Sequence, residues 1–216
     1  MQVEDEEATR LIPLLSPARL QGYRTPYAQQ LHPNFRVLYR WNIQLSQALY
    51  PALHIVEVGL RNAIARAIAQ HRRNEDWLLT VDFLSPLEQA EVQRQAGYLR
   101  RVNKLDTGHL IAELSFGFWC GLLDRRYEHQ QLLWPTLLRT VFPYLKNRKI
   151  HLIRKRFNQI RRLRNRISHY EPIWHWQDLA QQHQEMLEAI GWIEPALLKL
   201  IEVDSFPEVY HLLRKG

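Results

Sequence analysis

The chain has almost no cysteine and no long apolar run, and each absence excludes a class of protein. Cys120 is the only cysteine among 216 residues, so an intrachain disulfide and a zinc site of the CxxC type are excluded. A chain so poor in cysteine is typical of a reducing, cytoplasmic compartment. No apolar run reaches the roughly 18–20 residues that cross a bilayer. We therefore expect a cytoplasmic protein without a membrane span.

The sequence also lacks the motifs of common cofactor sites. It contains neither GxxxxGK[ST] nor GxGxxG, the glycine-rich loops that cradle phosphates. Its ten histidines show no HExxH or paired-ligand spacing. We therefore expect no metal and no other cofactor. Cys120 lies in an apolar segment and is predicted to be a buried small hydrophobe.

What the chain does have is apolar residues for a core and an excess of positive charge. Hydrophobic residues make up 46% and charged residues 24% of the sequence, and the net charge is +7. These proportions are those of a globular protein. The basic balance suits a polyanionic partner, RNA or DNA, and an anionic membrane surface is the weaker alternative.

Apolar residues recur at helical spacing, and no longer stretch alternates as a strand would. The fold class predicted is all-α, with a helical bundle at the centre of one domain over residues 34–216. We expect a first helix from Asn34, which Pro51 ends or kinks, and a second helix that continues through residue 68. Three more helices are expected: one over Asp82–Arg101, a buried one over 108–123 and a basic one over Lys146–Ser168. A final amphipathic pair is expected over 176–201, broken near Gly191 and Pro195.

The first 33 residues differ from the rest. They are polar and carry four prolines, at positions 13, 17, 26 and 33. This pattern predicts an irregular, extended N-terminal arm. One short helical turn is expected around Ser16–Leu20, because a serine followed by proline is typical of a helix start.

The most informative segment follows the basic helix and reads Arg-Asn-Arg-Ile-Ser-His-Tyr-Glu-Pro over residues 164–172. Arg164 offers a permanent charge that binds phosphate in a bidentate manner. His169 is the side chain best suited to move protons near neutral pH. Together they carry the groups that cleave RNA through its own 2′-hydroxyl, with arginine stabilising the phosphorane and histidine acting as base or acid.

Helix geometry sets a condition on this pair. Residues five apart on a helix point about 140° away from each other, at ~100° per residue. Arg164 and His169 therefore converge only if the helix ends before His169. Pro172 disfavours helical geometry at Glu171, so an end near Ser168–Tyr170 is expected. At a helix C-terminus the macrodipole favours the imidazolium, which suits a general acid.

The segment resembles the arginine-to-histidine motif of HEPN domains, and its Ser-His-Tyr-Glu-Pro tail resembles the Abi-like (abortive infection) branch. Upstream segments extend the resemblance over roughly residues 35–200. They are Tyr39-Arg40-Trp41-Asn42, the run Val56-Glu57-Val58-Gly59-Leu60-Arg61-Asn62, Phe116-Gly117-Phe118-Trp119, Leu133-Trp134-Pro135 and Val141-Phe142-Pro143.

The resemblance implies an all-helical HEPN fold and, in many relatives, a metal-independent endoribonuclease of phage defence or toxin–antitoxin systems. It also implies a homodimer in which two such motifs meet, and a cognate antitoxin as partner. Some HEPN relatives are inactive binders, so an inactive RNA- or partner-binding regulator is the alternative function. At the residue level, the structural alternative is that Arg164 pairs with Glu171 or Glu57 and that His169 only caps the last carbonyls.

Further polar residues are candidates for supporting roles. Asn165 and Ser168 are placed to orient the histidine or bind the phosphate. Glu57, Arg61 and Asn62 lie on an otherwise apolar helix and either line the site or, for Glu57 and Arg61, form an ordinary helical pair.

The basic helix itself carries a charged face. Its candidate RNA-binding residues are Arg154, Lys155, Arg161, Arg162 and Arg166. They form either a track for the phosphate backbone or a solvated helix face. Trp174 and Trp176 follow the motif, and core packing is favoured over base stacking for both.

Overall fold

The computed structural model describes residues 10–31, 34–80, 83–129, 132–201 and 204–215. Within these ranges every regular element is a helix and no strand occurs, so the all-α prediction is confirmed. The longer helices are α4 (Phe35–Arg72), α6 (Pro86–Arg101), α10 (Ile150–Ser168), α11 (Leu179–Ile193) and α12 (Phe206–Lys215). No described helix is long and apolar enough to cross a membrane.

Shorter helices connect these elements. They are α1 (10–15), α2 (Pro17–Leu20), α3 (Pro26–Leu31), α5 (Trp77–Thr80), α7 (Thr107–Glu113), α8 (Phe116–Gly121) and α9 (Leu138–Val141), with 3₁₀ turns at Gln21–Tyr23, Arg125–Tyr127 and Pro195–Leu200.

The chain divides into two compact units. The first comprises residues 1–50, 163–180 and 204–216, and the second comprises 51–162 and 181–203. Helices α4, α10 and α11 contribute residues to both. This division differs from the predicted one, in which an arm precedes a single domain beginning at residue 34.

The core of the first unit includes the segment that was predicted to be an irregular arm. Leu20, Tyr23 and Ala28 are at most 2% exposed, and residues 10–31 are largely helical. The prediction of an extended arm is therefore wrong for these residues, and residues 1–9 and 32–33 of that arm lie outside the described ranges. The short helix expected around Ser16–Leu20 is present as α2, with Pro17 in its first turn.

Helix α4 corrects a second prediction. Asn34 caps its start, since Asn34 Oδ1 accepts the Arg36 amide at 3.0 Å. Pro51 lies inside the helix rather than at its end. Proline removes one backbone hydrogen bond, but apolar side chains on either side of it, including Leu49 and Val56, are fully buried. The helix is continuous through Pro51, so the expectation that proline ends it is wrong.

The second unit buries a cluster of aromatic side chains. Phe142 and Phe157 pack with ring centroids 5.7 Å apart, and the Trp134 indole donates a hydrogen bond to the Leu122 carbonyl at 2.7 Å. Cys120 is buried here, as predicted. The expected single helix over 108–123 is two helices, because the Ser115 hydroxyl caps a new one by accepting the Phe118 amide.

Boundaries near the C-terminus also differ from expectation. Helix α11 continues through Gly191 and ends at Ile193, before Pro195. Helix α12 was not predicted at all. Helix α6 begins at Pro86 after Ser85, as its start signal indicated, whereas Asp82 lies outside the described residues.

Candidate functional site

The end of helix α10 is built as a complete Schellman cap. The His169 amide donates to the Asn165 carbonyl at 2.9 Å, the Tyr170 amide to the Ile167 carbonyl at 3.0 Å, and the Glu171 amide to the Arg166 carbonyl at 2.8 Å. These three bonds satisfy carbonyls that a helix end leaves open. The helix therefore ends at Ser168, within the range predicted, and His169 is its cap residue.

Tyr170 occupies the left-handed position of this cap, with φ at 57°. Glycine or asparagine usually fills that position, because a side chain there costs roughly 1–2 kcal/mol. The Tyr170 side chain is 69% exposed, and the guanidinium of Arg19 lies over its ring, 5.7 Å from the centroid. Arg73 and Asn103 occupy the same position in similar caps at the ends of α4 and α6, with φ at 51° and 55°, so a non-glycine residue in this conformation recurs in the described chain.

The two predicted catalytic residues both belong to the first unit and differ in exposure. Arg164 is half-buried, whereas His169 and its neighbours Asn165 and Ser168 are exposed. Within the described residues, the His169 imidazole makes no hydrogen bond. The carbonyls of the last turn are bonded to backbone amides instead, so His169 is not a side-chain cap.

Because α10 is continuous up to Ser168, the directions in which its side chains point are also fixed. Because the His169 amide is still bonded to the Asn165 carbonyl, the side chains of Arg164 and His169 leave the helix about 140° apart. The pair of one chain does not form a single cluster on one helix face.

Arg166 pairs with Glu171, one of the two acidic residues that were considered as partners of Arg164. Its Nη1 lies 3.2 Å from a carboxylate oxygen of Glu171, and its Nη2 donates to the Pro172 carbonyl at 3.0 Å. Its guanidinium also stacks over Trp176, 5.3 Å from the ring centroid. Arg166 and Glu171 thus tie the segment after the helix to the last helical turn.

A buried asparagine that sequence reasoning did not single out for a role holds the same segment from helix α4. Asn42 is 6% exposed, and its Oδ1 accepts the amides of Ile173 at 2.6 Å and Trp174 at 3.3 Å. Its Nδ2 donates to the Glu171 carbonyl at 3.3 Å. In the sequence, Asn42 is a polar residue of the predicted first helix and belongs to the segment Tyr39-Arg40-Trp41-Asn42.

Trp174 and His175 complete the support of this segment. Trp174 is 4% exposed and stacks on Tyr27 with centroids 6.0 Å apart, so core packing is confirmed over base stacking for this residue. Burial, aided by the charge of Arg166, lowers the pKa of His175 below its usual value. A neutral His175 therefore suits the folded state.

Glu57, Arg61 and Asn62 belong to the second unit, whereas residues 164–171 belong to the first. Arg61 Nη1 donates to the Ala112 carbonyl at 3.4 Å. Asn62 is exposed and lines a cavity of about 770 Å³ together with Arg66. The described residues include no group of histidine, cysteine and acidic side chains that would hold a metal ion.

The predicted basic face is mixed. Arg154 forms an ion pair with Glu128 at 2.8 Å, and Arg161 is half-buried. Lys155 and Arg162 are exposed and lie seven residues apart, so they share one face of α10 within about 20°. These two residues remain available to solvent anions.

No family model, curated protein or solved structure matches the chain. Function is therefore inferred from the residues, their geometry and the resemblance of the segments described above.

Proposed function

We propose that the protein is a metal-independent endoribonuclease of the Abi-like HEPN kind, acting in the cytoplasm in phage defence or as a toxin. The observation that carries the proposal is an exposed His169 at the capped C-terminus of a basic helix, five residues after Arg164. The Schellman cap and the bonds of Asn42 and Arg166 connect this helix end to helix α4 and to the segment that follows it. A fixed helix end is what a proton-transfer site requires.

The chemistry needs no group beyond RNA and these side chains. His169 of a second protomer takes the proton of the 2′-hydroxyl as the 2′-oxygen attacks the adjacent phosphorus, and the bond from phosphorus to the 5′-oxygen breaks. Arg164 would stabilise the charge on the non-bridging oxygens. His169, at the negative end of the helix dipole, would donate a proton to the leaving 5′-oxygen. The products are a 2′,3′-cyclic phosphate and a 5′-hydroxyl.

The diverging directions of Arg164 and His169 support a homodimer. Cleavage uses a base, an acid and a phosphate clamp, whereas one chain offers one histidine and one arginine that point apart. A two-fold contact supplies a second copy of each, so that Arg164 of one protomer acts with His169 of its partner. Two basic helices repel each other, so apolar contacts must support the interface.

The direct test is cleavage of mixed RNA in the presence of EDTA. Wild-type protein should produce fragments with cyclic phosphate ends, and Arg164→Ala or His169→Ala should lose activity by roughly 10²-fold or more. His151→Ala is the matched control, because His151 is an exposed histidine of the same helix. Absence of cleavage by the wild type, or equal cleavage by His169→Ala, contradicts the proposal.

The shared site has its own test. Mixing Arg164→Ala with His169→Ala protein gives heterodimers that keep one Arg164 and one His169 for the shared site, so some activity should return that neither variant has alone. Light scattering at several concentrations measures the dimer. A monomeric enzyme with full activity refutes the dimer while leaving the nuclease intact.

A second candidate function is a catalytically inactive RNA- or partner-binding regulator. The observation favouring it is the exposed pair Lys155 and Arg162, which offers charge to a phosphate backbone without requiring His169. RNA binding should then weaken with salt, and each lost phosphate contact should reduce the slope of log affinity against log salt by about 0.7 for a single strand. Tight, salt-sensitive binding without cleavage supports the regulator. A toxin, by contrast, should be neutralised by a cognate antitoxin protein.

A further inference from the structure

A cavity of about 530 Å³ opens beside the candidate site, within the first unit. Helix α4 lines it with Tyr39, Ile43, Gln47 and Tyr50, and the end of α10 lines it with Ile167 and Tyr170. The four positions on α4 recur at helical spacing and form one face. This size falls within the range of small-molecule pockets, about 300–1,000 Å³.

The cavity presents large apolar side chains to solvent. Tyr50 is 63%, Tyr170 69% and Ile43 45% exposed. Exposed aromatic rings of this kind are the platforms on which unpaired nucleobases stack. Gln47 adds an exposed amide, which offers both a donor and an acceptor to the edge of a base.

Tyr170 projects its ring from the left-handed position of the cap at the end of α10. A tyrosine is kept at φ 57°, where glycine would form the same cap without the steric cost. The Tyr170 side chain lines the cavity and directly follows His169.

The charge beside the cavity favours an anionic ligand. Arg19 is exposed, and its guanidinium lies over the Tyr170 ring. A nucleotide combines a flat apolar base with a phosphate, which matches an aromatic cavity edged by a cation. A second copy of this chain, which the proposed dimer brings to the same end of α10, is the alternative occupant that the dimer measurement below distinguishes.

We propose that this cavity binds one unpaired nucleobase of a single-stranded RNA, which contacts the rings of both Tyr170 and Tyr50. The bound nucleotide then places its phosphate beside His169. This inference rests on the proposed nuclease function, because that function suggests RNA as the ligand. It predicts that the nuclease prefers unpaired RNA that can place a base in the cavity. Base binding itself does not depend on cleavage.

The test is binding of a fluorescent five-nucleotide RNA to His169→Ala protein, in which no cleavage interferes. Tyr170→Ala and Tyr50→Ala should each weaken binding roughly 5- to 150-fold, the range for loss of one stacked base. Tyr170→Phe should bind like the parent because its ring remains. Tyr98→Ala is the control, since Tyr98 is an exposed tyrosine outside the cavity.

The Tyr170→Gly variant distinguishes a loss of RNA affinity from a loss of folding stability. Glycine relieves the left-handed backbone, so this variant should melt no lower than the parent while losing the same affinity. An RNA with an abasic site at each position in turn should lose affinity at one position, and Tyr170→Ala should no longer distinguish that RNA from the intact one.

The outcomes separate the two proposals. Unchanged RNA affinity in Tyr170→Ala and Tyr50→Ala overturns the nucleobase cavity, and dimer dissociation in the same variants assigns the cavity to a protein interface instead. Loss of affinity together with inactivity of the wild type on every RNA supports the cavity and rejects the nuclease.

Discussion

Asn42 should be the most sensitive polar residue of the first unit. It satisfies the amides of Ile173 and Trp174 and the carbonyl of Glu171, and it is 6% exposed. Asn42→Ala leaves two buried amides without acceptors, at about 1–3 kcal/mol each. We expect a loss of about 2–4 kcal/mol, which for a chain of this length lowers the melting temperature by about 4–16 °C.

Two further variants test whether the lost hydrogen bonds cause this destabilisation. Asn42→Leu restores side-chain volume without hydrogen bonds, so it should be about as destabilised as Asn42→Ala. Gln44→Ala changes an exposed residue of the same helix and should stay within about 0.5 kcal/mol of wild type. Urea unfolding measures the three variants, and hydrogen exchange should show faster exchange at the amides of Ile173 and Trp174.

The result that refutes this reasoning is recovery of stability in Asn42→Leu. Recovery would mean that packing, and not the three hydrogen bonds, makes Asn42 important. Unchanged exchange at Ile173 and Trp174 in Asn42→Ala would likewise show that the two amides find other acceptors.

Two other predictions concern the same segment. The pKa of His175 is lowered from 6.5 in the folded chain. Below about pH 6.5 the unfolded chain therefore takes up a proton that the folded chain does not. The free energy of unfolding should be greatest above that pH and decline as pH falls. Thermal melts from pH 8 to 5 should show a smaller decline for His175→Gln than for wild type or for the exposed control His151→Gln, and an equal decline in all three contradicts the assignment. Arg166→Ala loses a partly exposed ion pair, a carbonyl hydrogen bond and a cation–π contact, so urea unfolding should show a cost of about 1–2 kcal/mol. Arg162→Ala, an exposed neighbour, should cost less than about 0.5 kcal/mol, and equal costs would show that the contacts of Arg166 contribute nothing.

Local signals in the sequence were sufficient to predict the boundaries of helices that neighbouring residues determine. The Asn34 cap, the start at Pro86 and the end of α10 at Ser168 are each decided within about four residues. Capping and proline geometry act over that distance. The all-α class follows from apolar spacing for the same reason.

The predictions from sequence were wrong where contacts between residues far apart in the chain determine the structure. Tyr23 is buried against Trp174, with ring centroids 6.3 Å apart, although about 150 residues separate them. Without that partner, the proline-rich segment around Tyr23 has the pattern of an extended arm. The partners of Asn42 are likewise 129 to 132 residues away, so no local pattern could identify its role.

Tyr170 shows why a local departure from residue preference does not by itself assign a function. The cap at the end of α10 uses three backbone bonds that any residue tolerating φ 57° would allow, and glycine tolerates it best. Arg73 and Asn103 nevertheless occupy the same position of similar caps at the ends of α4 and α6. What distinguishes Tyr170 is its surroundings, because its exposed ring lines a cavity and directly follows the exposed His169. The RNA-binding experiments on Tyr170 therefore test the proposed site more directly than the backbone conformation does.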